Sequence, residues 1–178
     1  MATLKEPITP HDHAHGPANA PVTMVEYGDY ECPHCGLAHP IVKLIEEEYG
    51  QRLCFVFRHF PLAQVHPNAE PAAQSAEFAG AHGLFWEMHD GIYQNQDRIG
   101  LPLFFALAGT LRLSEAELRD ALVSGTFAPK VRADFLSGVR SGVNGTPTFF
   151  INGRRHDGSY AFDELSAAIE TVIAKAAV

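Results

Sequence analysis

The sequence predicts an α/β fold: a small mixed sheet flanked by helices, with an all-helical insertion between the second and third strands. Three observations predict it. First, a β-branched and aromatic run at residues 22–27 is followed by a helical period and a second such run at 53–60, and a strand–helix–strand unit of this length implies parallel neighbours with a right-handed crossover. Second, from about His66 to Val143 no run reads as a strand, and amphipathic segments follow one another. Third, sheet signals return at residues 146–151 and a last helical pattern closes the chain.

Each element has its own warrant. Residues 1–20 are rich in Pro, His and Ala, follow no period of 2 or 3.6, and read as a flexible arm. The first strand is closed by Gly28 and Asp29. A helix over 33–48 follows. Pro33 suits its first turn, where a missing N–H costs nothing. Leu37, Ile41, Leu44 and Ile45 recur at helical spacing, Pro40 should kink the helix rather than end it, and Gly50 stops it. Pro61 terminates the second strand.

The insertion divides into segments 69–81, 84–94, 102–111, 114–123 and 128–139, with Ser114 and Glu117 forming a capping box. Asn152-Gly153 predicts a type I′ hairpin turn with a short return strand over 154–157. The final helix, 162–176, carries Leu165, Ala168, Ile169, Val172 and Ile173 on one face. The expected organisation is an arm at 1–20, a sheet domain made of 21–65 and 144–178, and the insertion at 66–143.

Composition narrows the function. With 178 residues, 46% hydrophobic and 19% charged, the chain can bury a real core in one sizeable domain with an insertion. A net charge of −8 and a pI near 5.6 oppose binding to phosphate backbones, so no nucleic-acid partner is expected. No apolar run approaches the roughly 20 residues that span a bilayer. The first residues lack the apolar core of an export signal. The expectation is therefore a cytoplasmic protein, with a periplasmic or exported one as the alternative if these residues are a mature form. Three cysteines are too few for a disulfide scaffold.

Two of those cysteines carry the chemistry. Cys32-Pro33-His34-Cys35 lies after a predicted strand and opens a predicted helix. Unpaired N–H groups and the macrodipole at a helix N-terminus favour an anion, and a thiolate is the reactive form of cysteine. Cys32 is thus the exchanging thiol. Cys35, one turn in, should be more buried and less acidic, and resolves the mixed disulfide. His34 can stabilise the Cys32 thiolate, which stabilises the dithiol and makes the disulfide more oxidising. A zinc half-site is the competing reading of the pair, but zinc takes four ligands, and the third cysteine, Cys54, sits alone in an apolar strand as a core residue. His11, His13 and His15 are solvated arm residues in this reading, so no metal site is assigned.

Together with Glu26 on the preceding strand, Pro40 in the helix and Gly145-Thr146-Pro147-Thr148 before the hairpin, this motif resembles the bacterial DsbA-like thiol–disulfide oxidoreductases. A strongly depressed cysteine pKa is known in that family. The resemblance runs from about Pro21 to the C-terminus and includes the place of the insertion and the stretches Arg58-His59-Phe60-Pro61-Leu62 and Phe149-Phe150-Ile151-Asn152-Gly153. It implies a thioredoxin-like fold and a redox-active Cys32–Cys35 disulfide with no bound cofactor. It also implies a cis Thr146–Pro147 bond facing the cysteines and, with Pro33, contacting substrate. Glu26 becomes a proton acceptor for Cys35, although strand alternation alone lets it point either way.

The expected partners are protein thiols and disulfides and an unidentified redox partner, met by a monomer. The motif favours an oxidant, which fits poorly with a cytoplasmic place, where disulfides are rare. A cytoplasmic disulfide reductase of thioredoxin type and a redox-inert binding or chaperone module are the alternatives. Glutathione conjugation on a related fold is disfavoured by the intact pair. Phe85, Trp86, Phe104 and Phe105 are expected in the insertion core, with one or two free to line a substrate groove. His39, His59, His66, His82, His89 and His156 are given no chemistry.

Overall fold

A computed structural model describes residues 2–176. Its strands are β1 (His13–His15), β2 (Val22–Gly28), β3 (Leu53–His59), β4 (Thr148–Ile151) and β5 (Arg154–Arg155), and its helices α1 (Pro33–Tyr49), α2 (Ala69–Gly80), α3 (Phe85–Gln94), α4 (Leu101–Thr110), α5 (Glu115–Ser124), α6 (Ala128–Arg140) and α7 (Phe162–Ala176). The sheet order is β1-β3-β2-β4-β5. β4 runs antiparallel to β2, with Glu26 opposite Phe149 and Tyr27 opposite Thr148. This is the mixed sheet with a helical insertion that the sequence predicts.

The chain forms two compact units, one made of the residues up to Gly28, Leu37–Arg58 and the chain from Leu136, the other of Asp29–Gly36 and His59–Phe135. Chain order draws the insertion at 66–143. The contacts divide at 59 and 135 instead, and the Cys-Pro-His-Cys segment groups with the helical unit.

In the sheet unit, β3 and β4 are buried at every residue and β2 at all but one. Strands covered on both faces read as continuous apolar runs, which is why periodicity located them without showing a face. Tyr27, Phe55, Phe57, Phe150, Met24 and Leu165 are its largest fully buried side chains besides Ile45 of α1, and α7 packs on β2 and β4. At the hairpin, Asn152 and Gly153 both have positive φ, 44° and 75°, as a type I′ turn needs. The Asn152 side chain ties that turn to β2, accepting from Thr23 N–H at 2.6 Å and donating to the Pro21 carbonyl at 3.1 Å.

Two expectations for this unit are corrected. Residues 2–20 are not wholly a flexible arm: β1 pairs antiparallel with β3, Thr3 bridges Arg154, and Leu4 N–H donates to the Gly153 carbonyl at 2.9 Å. A three-residue edge strand is too short to leave a period, so composition hid it. On α1, Leu37 and Leu44 are 62% and 50% exposed, and the buried stripe is Ala38, Val42, Ile45 and Tyr49. That stripe has the spacing i, i+4, i+7, i+11 of one helical face. The larger leucines drew attention away from it. Pro40 lies within a continuous α1.

In the helical unit, α2 packs against α3, α4 and α5. Its buried face is mostly alanine (Ala69, Ala72, Ala73, Ala76 and Ala79), and small side chains let neighbouring helices approach closely. Met88, Ile92, Phe104 and Leu118 fill the space and are fully buried. The predicted cap is present: Ser114 Oγ accepts from Glu117 N–H at 3.2 Å. Phe85 and Phe104 are core, while Trp86 and Phe105 are half-buried. Trp86 lies edge-on to Phe85 and His89, and the Arg119 guanidinium covers the Phe105 ring at 4.7 Å.

Candidate active site

The reactive segment is built within the helical unit. Asp29 ends the β2 run and is 1% exposed. Its Oδ1 accepts from Glu31 N–H at 2.8 Å, closing an Asx turn. Its Oδ2 accepts from Leu62 N–H and from His66 Nδ1, both at 2.8 Å. Its backbone also works at both ends of the motif: the carbonyl accepts from Cys32 N–H at 3.1 Å, and the N–H donates to Cys35 Sγ at 3.4 Å.

Three further side chains hold this loop. Glu31 accepts from Asn68 N–H at 2.6 Å and from Asn68 Nδ2 at 2.9 Å. Tyr30, fully buried, bonds His89 Nδ1 through its hydroxyl at 2.9 Å and packs on the Tyr93 ring at 4.9 Å. Gln96 Nε2 donates to both the Tyr30 and Cys32 carbonyls, at 2.8 and 2.9 Å. Its amide lies against Gly36, where any Cβ would collide with the Gln96 side chain. Glycine one residue after Cys35 is therefore required for this clamp.

The Cys32 carbonyl also accepts from Gly36 N–H at 3.1 Å. This is the first i+4 bond of α1, so Cys32 occupies the N-cap position and Pro33 the position after it. No acidic residue stands in the first turn of α1, so nothing there opposes the positive end of the helix dipole. Both thiols are buried, Cys32 at 5% exposure and Cys35 at none. Pro33 and His34 are exposed.

His66 is half-buried. Burial pulls its pKa down, but the hydrogen bond and charge of Asp29, and then the charges of Cys32 and Glu31, outweigh this and raise it above the ordinary histidine value. This histidine, Asp29, Gln96 and the Glu31–Asn68 pair were all missed by motif reasoning. An Asp three residues before a helix-capping cysteine is an Asx-turn signal that could have been used. Nothing in the sequence marks Gln96, 61 positions beyond Cys35.

The other predicted site residues belong to the sheet unit. Glu26 is 3% exposed, which excludes the solvent-facing alternative. The Thr146–Pro147 bond is cis. Cys54, on β3, is 3% exposed, and burial pushes its thiol pKa up. It should therefore resist alkylation in the native protein while Cys32 reacts. Mass mapping after a brief iodoacetamide pulse checks this, and equal labelling of both would refute it.

A family model described as thioredoxin matches residues 8–171. The chain belongs to the thioredoxin family. Among curated proteins, it is 44% identical over 172 residues to the Na(+)/H(+) antiporter NhaA 1 of Salinispora arenicola, and 37% identical over 171 residues to that of Mycobacterium sp. strain KMS. Those matches cover 96% and 94% of the chain but only 26% and 28% of the antiporters. The chain thus spans about a quarter of the length of these relatives. No helix among the described residues is long and apolar enough to cross a membrane.

Among solved structures, BdbD of Bacillus subtilis in its oxidised form superposes with a TM-score of 0.86 at 24% identity, covering 96% of this chain and 97% of that one. Wolbachia pipientis alpha-DsbA1 gives 0.83 at 23% identity, covering 95% and 94%. The fold is that of DsbA-like thiol–disulfide oxidoreductases, and this chain carries a Cys-x-x-Cys pair in it.

Proposed function

We propose that the chain is a protein thiol–disulfide oxidoreductase that works through Cys32 and Cys35 and runs in the oxidising direction. The observation that carries this reading is Cys32 at the N-cap of α1, with Gly36 N–H bound to its carbonyl. There the helix end stabilises a thiolate, both as nucleophile and as leaving group.

In the proposed cycle a substrate thiolate attacks Cys32 Sγ of the Cys32–Cys35 disulfide. The S–S bond breaks, its electron pair stays on Cys35, and a substrate–Cys32 mixed disulfide forms. A second substrate thiolate attacks the substrate sulfur and expels Cys32 as thiolate. Two substrate thiols have become one disulfide, and the enzyme is left as the dithiol. His34 adds a donor beside Cys32. Glu26, buried in β2, would take the proton of Cys35 when that thiol acts as resolving nucleophile. Thr146, Pro147 and Pro33 would meet the substrate main chain, as the family resemblance implies.

The deciding experiment is the reduction potential of the pair, from equilibration with glutathione buffers and counting of thiols. A value near about −120 mV is expected of a disulfide donor, and one near about −270 mV would mark a thioredoxin-type reductant instead. An oxidant of this kind belongs in an oxidising compartment. The antiporter relatives favour a cation transporter as a partner. Recovery of such a transporter, disulfide-linked to Cys32 of a Cys35→Ser chain after native membranes are treated with a mild thiol oxidant, is the outcome this predicts.

A further inference from the structure

We propose that His66, held by Asp29, is a positioning residue for the dithiol chemistry: a cation set to cancel a buried carboxylate next to Cys32, so that the Cys32 thiolate can form. The inference rests on the dithiol-exchange reading and adds a residue to it.

Asp29 creates the need for such a cation. Its side chain is fully buried, and its hydrogen bonds fix the loop that ends in Cys32. It accepts from Glu31 N–H and Leu62 N–H, and its own backbone bonds Cys32 and Cys35. The loop therefore needs a carboxylate here for its shape. Electrostatically the same carboxylate is unfavourable, because a buried negative charge near a second ionising group raises that group's pKa. Left alone, Asp29 would oppose the Cys32 thiolate that the helix end favours.

His66 resolves the conflict. Its Nδ1 lies 2.8 Å from Asp29 Oδ2, and its ring is 19% exposed. It can therefore exchange protons with solvent while facing the buried acid. The groups that act on it are Asp29, Cys32 and Glu31, all negative when ionised. Glu31 is itself tied up by Asn68. A cationic imidazole is thus favoured, and it turns Asp29 from an isolated anion into one half of an ion pair. The effect on Cys32 comes through charge, not through contact. A neutral side chain that keeps the hydrogen bond to Asp29 would keep the loop and lose the effect.

His66→Asn is the test, since its Nδ2 takes the place of the imidazole Nδ1 and can still donate to Asp29 but carries no charge. His66→Ala removes both. Thermal unfolding of each establishes that the fold is retained. The readout is the Cys32 thiol pKa, from thiolate ultraviolet absorbance against pH in a background with Cys35 replaced by Ser. Both variants are expected to raise that pKa by about one unit, at the low end of the shift an opposite charge produces. In the chain with both cysteines, the same tenfold change makes the disulfide less oxidising by about 30 mV.

A His66→Asn chain that titrates as the wild type, with only His66→Ala shifted, would overturn the proposal and leave His66 a hydrogen-bonding strut. The exchange reading fails separately. If wild-type protein neither oxidises nor reduces a peptide substrate, that reading falls, while the thiol titrations still decide the role of His66.

Discussion

Replacing Cys32 with Ser should reduce disulfide exchange to the uncatalysed background, while Cys35→Ser should bind substrate covalently and stall. The two cysteines are three residues apart, yet their surroundings differ. Cys32 holds the N-cap of α1 and keeps some exposure; Cys35 has none and accepts from Asp29 N–H. Serine at 32 leaves a hydroxyl that is essentially never ionised near neutral pH and cannot form the mixed disulfide, so no partial activity is expected. Serine at 35 leaves the nucleophile in place but removes the thiol that resolves its adduct.

Non-reducing electrophoresis with a disulfide-bonded peptide, whose S–S bond the Cys32 thiolate attacks to release one peptide thiol, checks both variants. An adduct that forms at Cys32 in the Cys35→Ser protein, reverses with dithiothreitol and is absent from the Cys32→Ser protein is the expected result. Wild-type turnover by Cys32→Ser would mean that the dithiol is not the working group. An adduct at Cys54 instead would contradict the burial that raises its pKa.

Motif and context were enough to find this pair because its chemistry is local. A strand, a turn and a proline at the start of a helix put a thiol at a helix end wherever they occur. The five helices of the insertion were legible for a similar reason, since each carries its own apolar period. What was not legible depends on distant partners. Asp29 looks like a strand terminator until Leu62 and His66 are folded against it. Gln96 looks like any polar residue after a helix until Tyr30 and Cys32 present their carbonyls. The exposed Leu37 and Leu44 misled for the opposite reason: hydrophobicity is a tendency to be buried, and a single helix has more apolar residues than one face can hide.

The N-terminal segment supplies the second large effect. Asp12→Ala should destabilise the fold by about 3–5 kcal/mol, the usual cost of removing one partner of a buried ion pair. Arg58 sits on β3 at 3% exposure. Its Nε and Nη2 donate to the two carboxylate oxygens of Asp12 at 2.7 and 3.0 Å. Nη1 donates to the Glu6 carbonyl and the Tyr27 hydroxyl, and Nη2 also to the Pro7 carbonyl. No N–H of the guanidinium lacks an acceptor. Burial would pull the Arg58 pKa down, but the hydrogen bonds of Asp12 and Tyr27 and the charge of Asp12 hold it above its ordinary value, so the group stays charged. Take Asp12 away and that charge remains inside with only neutral acceptors. Arg58→Met together with Asp12→Leu should cost much less than Asp12→Ala alone, because a well-packed apolar pair can replace a buried ion pair at little loss. Urea unfolding of the single and double variants measures the difference. Near-wild-type stability of Asp12→Ala would mean that residues 6–12 do not hold Arg58 in solution, and that the segment is the loose arm its composition suggests.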